Sequence, residues 1–234
     1  CFVNKKLEKT LVFLSDKVNT YVYLPSVIKN NYKNIIKKYL EDIIQKYKIK
    51  GFVISNLSNL KFLEGYKSNF EIIGNSSLNI FNNYSIKECA EYGINKVTLS
   101  RELSKTELED ILKYNLDIDT ELIVYGTLPI MSCNYCFLGK SNMCYPECKR
   151  LCSDDNSYYL KDRLGFKFRI VSDNIQSITS IFNSKILSIS PKTFNVSSVR
   201  IDILDENVTT INKIIETVKS GKSFEGKEYT SGRL

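Results

Sequence analysis

The chain has 234 residues, 43% hydrophobic and 25% charged, enough to bury a core of its own and too apolar for a disordered segment. Its 33 Lys and Arg against 26 Asp and Glu leave a net charge of +7, a lean toward polyanions such as RNA or anionic lipid. Histidine is absent, which removes Ser-His and Cys-His nucleophilic pairings and histidine-ligated zinc.

The first half alternates short β-branched runs with longer amphipathic ones, the pattern of βα units around a parallel sheet. "YVYLP" reads as a strand, and residues 32–47 as a helix with Ile35, Ile36, Tyr39, Leu40, Ile43 and Ile44 on one stripe. The lysines of this segment form the densest basic run, read as a solvated helix face with a nucleic-acid surface as the alternative. "GFVIS" is the next strand, followed by a short helix over "NLKFLEGY". "FEIIGN" is a third strand, leading to a helix over 85–92 closed by Gly93. "KVTLS" is a fourth strand, and Ser104 with Glu107 makes a capping box before the Leu108, Ile111, Leu112 stripe. "ELIVYG" is a fifth strand. In parallel α/β architectures ligands bind at the carboxyl ends of the strands.

After Met131 the alternation stops, and five of the seven cysteines fall within "SCNYCFLGKSNMCYPECKRLC". "FKFRIVSD" follows as a strand outside the repeat, and the rhythm resumes with "SVRIDIL" and a helix over 207–220. The expected fold is α/β, a partial or complete TIM-barrel-like βα repeat with a cysteine-rich insertion. Its expected parts are a body over 1–131, the insertion and following strand over 132–190, and a C-terminal βα unit over 191–234. Five or six βα units fall short of a closed eightfold barrel. The first residue is Cys1 rather than Met, so the chain is read as part of a longer polypeptide whose upstream portion is a partner.

No run of eighteen apolar residues and no charged-then-apolar leader is present, so the expectation is a cytoplasmic protein without a membrane partner. The odd number and crowding of the cysteines argue against a secreted disulfide framework. The five Asn-x-Ser/Thr triplets are read as chance in so Asn-rich a chain.

The segments "SLNIFNN", "TLSREL", "ELIVYGTLPIM", "YYLKDRLGFKF" and "IFNSK", together with the cysteines, occur in an order that resembles the collagenase-like peptidase family U32, specifically a second family region of the larger clostridial-type members. The resemblance covers nearly all of the chain. It implies a TIM-barrel-type fold. Several branches of the family are iron–sulfur proteins that hydroxylate RNA bases or ubiquinone precursors without oxygen, so the resemblance implies a 4Fe-4S cluster and RNA or a small aromatic molecule as substrate. Its cluster positions fall on Cys136, Cys144 and Cys148, while the fourth falls on Ser177. An alkoxide is a poor ligand for a soft iron site, so Cys152 completes the set, with Cys133 as substitute. The histidine of many relatives near the fifth strand's end is Tyr125 here, so a histidine-dependent mechanism is not carried over.

Read from the residues themselves, the cysteines leave alternatives open. If "PECKRLC" is helical, Cys148 and Cys152 share a face. "CNYC" has the Cys-x-x-Cys spacing of a zinc knuckle, so zinc is the alternative cofactor and metal-free packed thiols a third reading. Glu102, Glu121 and Arg163 are the candidate catalytic residues: the two acids as acid, base or substrate ligand, the arginine as a bidentate grip on carboxylate or phosphate. Each also reads as ion-paired structure. Asn79, Asn82 and Asn183 are candidate substrate-binding amides or turn formers, and Tyr125 a stacking face or core.

Three functions follow, in order: an iron–sulfur protein of hydroxylation or RNA modification; a cysteine-bound zinc or cluster-less module of a larger protein; and an endopeptidase, as the family name implies. The last has no histidine, zinc-protease motif or G-x-S-x-G elbow behind it.

Overall fold

The computed structural model describes residues 5–114, 117–140, 157–173, 176 and 178–233. The chain divides into two compact units, one of Cys1–Ile123, Phe194–Val199 and Arg233–Leu234, the other of Val124–Thr193 and Arg200–Gly232.

The first unit is built on parallel strands β1 (Tyr21–Tyr23), β2 (Gly51–Ile54), β3 (Glu71–Gly74), β4 (Lys96–Thr98) and the start of β5 (Asp119–Gly126). They pair in chain order, Tyr21 opposite Gly51, Gly51 opposite Glu71, Ile73 opposite Lys96 and Lys96 opposite Asp119. Parallel strands covered on both faces read as continuous apolar runs, and Phe52, Ile54, Ile72 and Val97 are fully buried. Gly51 opens β2 because a β-carbon there would lie 1.9 Å from the carbonyl oxygen of Glu71.

Helix α1 (Lys5–Ser15) precedes β1, and α2 (Lys33–Lys46), α3 (Asn83–Glu91) and α4 (Lys105–Leu112) run between the strands. The expected stripe of α2 buries Ile36, Leu40 and Ile43, while Ile35 is 43% exposed and Lys33, Lys37, Lys38 and Lys46 face solvent. The Ser104–Glu107 capping box opens α4 as its sequence requires. The expected short helix after β2 is a 3₁₀ helix over Leu57–Leu63, opened by a reciprocal Asn56–Asn59 amide box. Gly93 follows α3 with φ of 79°, the left-handed conformation of a C-terminal cap.

In the second unit the end of β5 pairs antiparallel with β10 (Ile186–Ser188), and β10 pairs parallel with β12 (Tyr229–Thr230). β11 (Ser198–Asp202) pairs with β5 and leads to α6 (Val208–Lys219), the resumed βα unit. A separate antiparallel sheet has the order β6 (Pro129–Cys133), β9 (Ile178–Phe182), β8 (Lys167–Asp173), β7 (Tyr158–Lys161), and the short helix α5 (Phe137–Lys140) follows β6. The larger sheet is therefore mixed rather than wholly parallel. Of the antiparallel strands only β8 is expected from the sequence; β7 and β9 alternate in burial over only four and five residues, and β10 and β12, of three and two residues, are too short for a two-residue period to repeat. Among the described residues no strand pairing closes the larger sheet.

Candidate functional site

In the first unit the residues that end or follow the parallel strands form a polar cluster. Asn75, one residue past β3, is 6% exposed, and its amide nitrogen lies 2.9 Å from the Tyr23 hydroxyl, 3.3 Å from Ser55 Oγ and 3.3 Å from Ser77 Oγ. Ser77 Oγ donates to the Ser55 carbonyl at 2.7 Å, and Ser55 itself is buried. At the neighbouring strand end Thr98 donates to Glu121 Oε1 at 2.9 Å, and Ser198 donates to Glu121 Oε2 at 3.5 Å. Buried hydroxyls and amides cost free energy unless paired, and here they are paired with one another, which fixes their orientation.

Asn75, Ser55, Tyr23 and Ser77 are not singled out by the sequence reading. A signal for them exists: each polar residue ends or follows an apolar strand run at the end where βα folds bind ligands. Of the expected residues in this unit, Glu121 is half-buried and engaged as above. Glu102 is exposed; its backbone N–H donates to Ser100 Oγ, and its carbonyl accepts from Arg233. Asn79 ends a 3₁₀ turn (Ser76–Leu78) with φ of 55°, a left-handed conformation that asparagine tolerates better than most residues. Asn82 caps α3, its Oδ1 accepting from the Ser85 N–H and hydroxyl, each at 2.9 Å. The first residue of α3, Asn83, has a buried Oδ1 without a hydrogen-bond partner among the described residues.

The opposite, amino-terminal ends of the strands carry charge. Tyr21 donates to Glu71 Oε2 at 2.6 Å and Lys50 pairs with the same oxygen at 3.1 Å. The Tyr21 hydrogen bond, aided by Lys50 and opposed by partial burial, holds the Glu71 carboxyl below its usual value. A recess of about 500 Å³ opens at this end, lined in part by Asn95, Tyr114, Asp117, Asp119 and Asn195.

In the second unit Tyr125 is 2% exposed, edge-on to Phe224, which stacks on Tyr229. Burial, with Glu206 and Tyr229 adding to it, pushes the Tyr125 hydroxyl up to about 12. Arg163 is exposed in the turn between β7 and β8, while the Asp162 carboxylate accepts from the Leu164 and Phe166 N–H groups. Asn183 shapes the turn before β10 by accepting from the Lys185 N–H at 3.4 Å.

Cys133 ends β6 and Cys136 precedes α5, both partly exposed. The Gly139 N–H donates to Cys136 Sγ at 3.3 Å, and Thr179 donates to the Tyr135 carbonyl at 2.6 Å, fixing the intervening loop to β9. Cys144, Cys148, Cys152 and Ser177 lie outside the described residues. Cys89, in α3, is buried, and burial raises its thiol's pKa.

The family model for peptidase family U32 matches residues 2–202. The chain belongs to peptidase family U32. The match takes in both the strand-end cluster and the cysteine segment of this U32 protein. Neither a curated protein nor a solved structure matches it. Among its described residues no helix is long and apolar enough to cross a membrane.

Proposed function

We propose that this U32 protein is an iron–sulfur protein acting in oxygen-independent hydroxylation of an RNA base or a small aromatic substrate, on a body of TIM-barrel type. The observation that carries the reading is the Cys136 sulfur, partly exposed and accepting a backbone N–H from Gly139. Such N–H···S contacts stabilise a thiolate and tune a bound cluster. A soft donor of this kind fits iron–sulfur ligation, and Cys136, Cys144 and Cys148 are the proposed ligands, with Cys152 or Cys133 as the fourth. When bound there, such a cluster would supply electron transfer or Lewis acidity. Within the first unit, Asn75, Ser55 and Ser77 offer oriented polar groups at the strand ends, and Glu121, hydrogen-bonded to Thr98 and Ser198, is the candidate acid or base. The parallel strands follow chain order without reversal, which favours the barrel over a doubly wound sheet, where order reverses at a switch point.

A second reading, structural zinc, is favoured by Cys133 and Cys136 alone, which keep Cys-x-x-Cys spacing with both thiols accessible. The endopeptidase reading ranks below both because the chain has no histidine to serve as general base. Anaerobic purification followed by visible absorbance and iron, sulfide and zinc analysis separates them. About four iron and four sulfide per chain, lost in Cys136→Ser, is the expected result. A colourless protein with one zinc overturns it in favour of the second reading, and proteolysis of casein by the homogeneous metal-free chain favours the third.

A further inference from the structure

The β7–β8 hairpin of the second unit presents one face with an unusual grouping. In its antiparallel register Tyr159 lies opposite Arg169, and Lys161 lies opposite Lys167. Side chains two apart on a strand share a face, so these four form a two-by-two grid. Tyr159 is 51% exposed, with the Arg169 guanidinium carbon 5.7 Å from its ring centroid. Arg169 is itself held by a two-point ion pair with Asp205 and by the Ile170 and Tyr158 carbonyls, so the guanidinium beside the ring is fixed and its charge compensated, and among the described residues the uncompensated cations of this face are the lysines. Lys161 and Lys167 are both exposed and have no acidic partner among the described residues. Like charges directly opposite each other on a sheet destabilise it, and an anion placed between them removes that cost. Arg163 at the turn adds a third exposed cation, since Asp162 is committed to backbone N–H groups.

We infer that this hairpin face is a docking surface for single-stranded RNA, one base stacking on Tyr159 and the adjoining phosphates lying across Lys161 and Lys167. The inference deepens the function proposed above and rests on it for the choice of RNA over a small aromatic substrate. An accessible aromatic face flanked by cations is the chemistry that holds unpaired bases and their backbone. A duplex hides its base faces and leaves Tyr159 nothing to stack on. The basic run of α2 lacks this combination, because Glu41 and Asp42 interrupt its lysines and Tyr39 is half-buried.

The test is fluorescence anisotropy of the 234-residue chain with a labelled RNA of mixed sequence, about twelve nucleotides long, across a salt series. Tyr159→Leu is expected to weaken binding tenfold or more, and Tyr159→Phe to retain it. Lys161→Glu with Lys167→Glu is expected to weaken binding at least tenfold and to reduce the log–log salt slope by about 1.4, two phosphate contacts. Lys37→Glu with Lys38→Glu on α2, an equal change in net charge, is expected to alter affinity less than threefold. Circular dichroism checks folding, and Lys167→Gln replaces the double reversal if that variant does not fold. Four results overturn the inference: no binding by the wild type; equal losses from both charge-reversal pairs; binding indifferent to Tyr159→Leu; or preference for duplex RNA or phosphatidylserine vesicles. Iron and sulfide content measured on the same samples keeps failure of the docking surface distinct from failure of the iron–sulfur reading.

Discussion

The Asn75 amide donates to the Tyr23 hydroxyl at 2.9 Å, joining the ends of β3 and β1, two strands separated in the sheet by β2. The same amide reaches Ser55 at the end of β2, so one side chain ties three consecutive strands at the end where ligands bind in βα folds.

Replacing Asn75 with Ala removes the amide that donates to the Tyr23, Ser55 and Ser77 hydroxyls, of which that of Ser55 is buried. A loss of about 1–3 kcal/mol is expected, read as a lower urea midpoint at unchanged slope. Tyr23→Phe removes one acceptor from a partly exposed site and is expected to cost less. Equal stability of Asn75→Ala and wild type would refute the structural role assigned to the cluster.

Acid stability should depend on Glu71. Its native carboxyl titrates below its unfolded value, chiefly through the Tyr21 hydrogen bond, so its contribution is complete above the unfolded value. That contribution is lost as pH falls from about 5 through the depressed native value. Glu71→Gln is expected to lower stability modestly at neutral pH and to flatten the acid limb of a thermal-midpoint profile taken from pH 7 to pH 3. An acid limb identical to that of the wild type counts against the Tyr21–Glu71–Lys50 cluster.

At alkaline pH the relevant group is Tyr125. Its native hydroxyl is raised to about 12, so the folded state retains a proton that the unfolded state begins to release near 10. The sign is a loss of stability as pH rises through that window. Tyr125→Phe should reduce this loss while keeping the edge-on contact with Phe224, whereas Tyr125→Ala should cost about 3–5 kcal/mol in lost packing at neutral pH. Ultraviolet titration of the phenolates together with urea unfolding at pH 7 and pH 10.5 measures both effects.

The thiols should separate by accessibility. Cys89 is buried and its thiol is pushed up by burial, so it is expected to resist iodoacetamide at pH 7.5 in the native chain and to react only after unfolding. Cys133 and Cys136 are partly exposed and are expected to be alkylated natively in metal-free protein. Mass spectrometry of the labelled peptides reads the order, and prompt native labelling of Cys89 contradicts the placement of α3.

Much of the first unit is legible from local chemistry. The apolar stripe of α2, the Ser104–Glu107 box of α4 and the β-branched run of β5 each announce their element within a few residues. The second unit depends on pairings distant in sequence. Ser188 meets Tyr125, and Leu187 meets Gly126 on one side and Thr230 on the other, through strand pairings that no local period encodes. The candidate site shows the same division. Glu121 is recognisable as a charge within an apolar strand, whereas Asn75 looks like any turn asparagine until the fold brings Tyr23 and Ser55 to its amide.

The asparagines of this chain also determine how it ages. Deamidation replaces a neutral amide with a carboxylate. At Asn82 and Asn207, whose Oδ1 atoms already accept from the first turns of α3 and α6, the new negative charge faces a helix start and is tolerated there. At Asn75 the same conversion removes the donor that three hydroxyls share and puts an anion in a nearly closed pocket. The same change of one amide to a carboxylate is therefore tolerated at the helix starts and disruptive at the strand-end cluster, whose 6% exposure at Asn75 is also what shields that residue from the change.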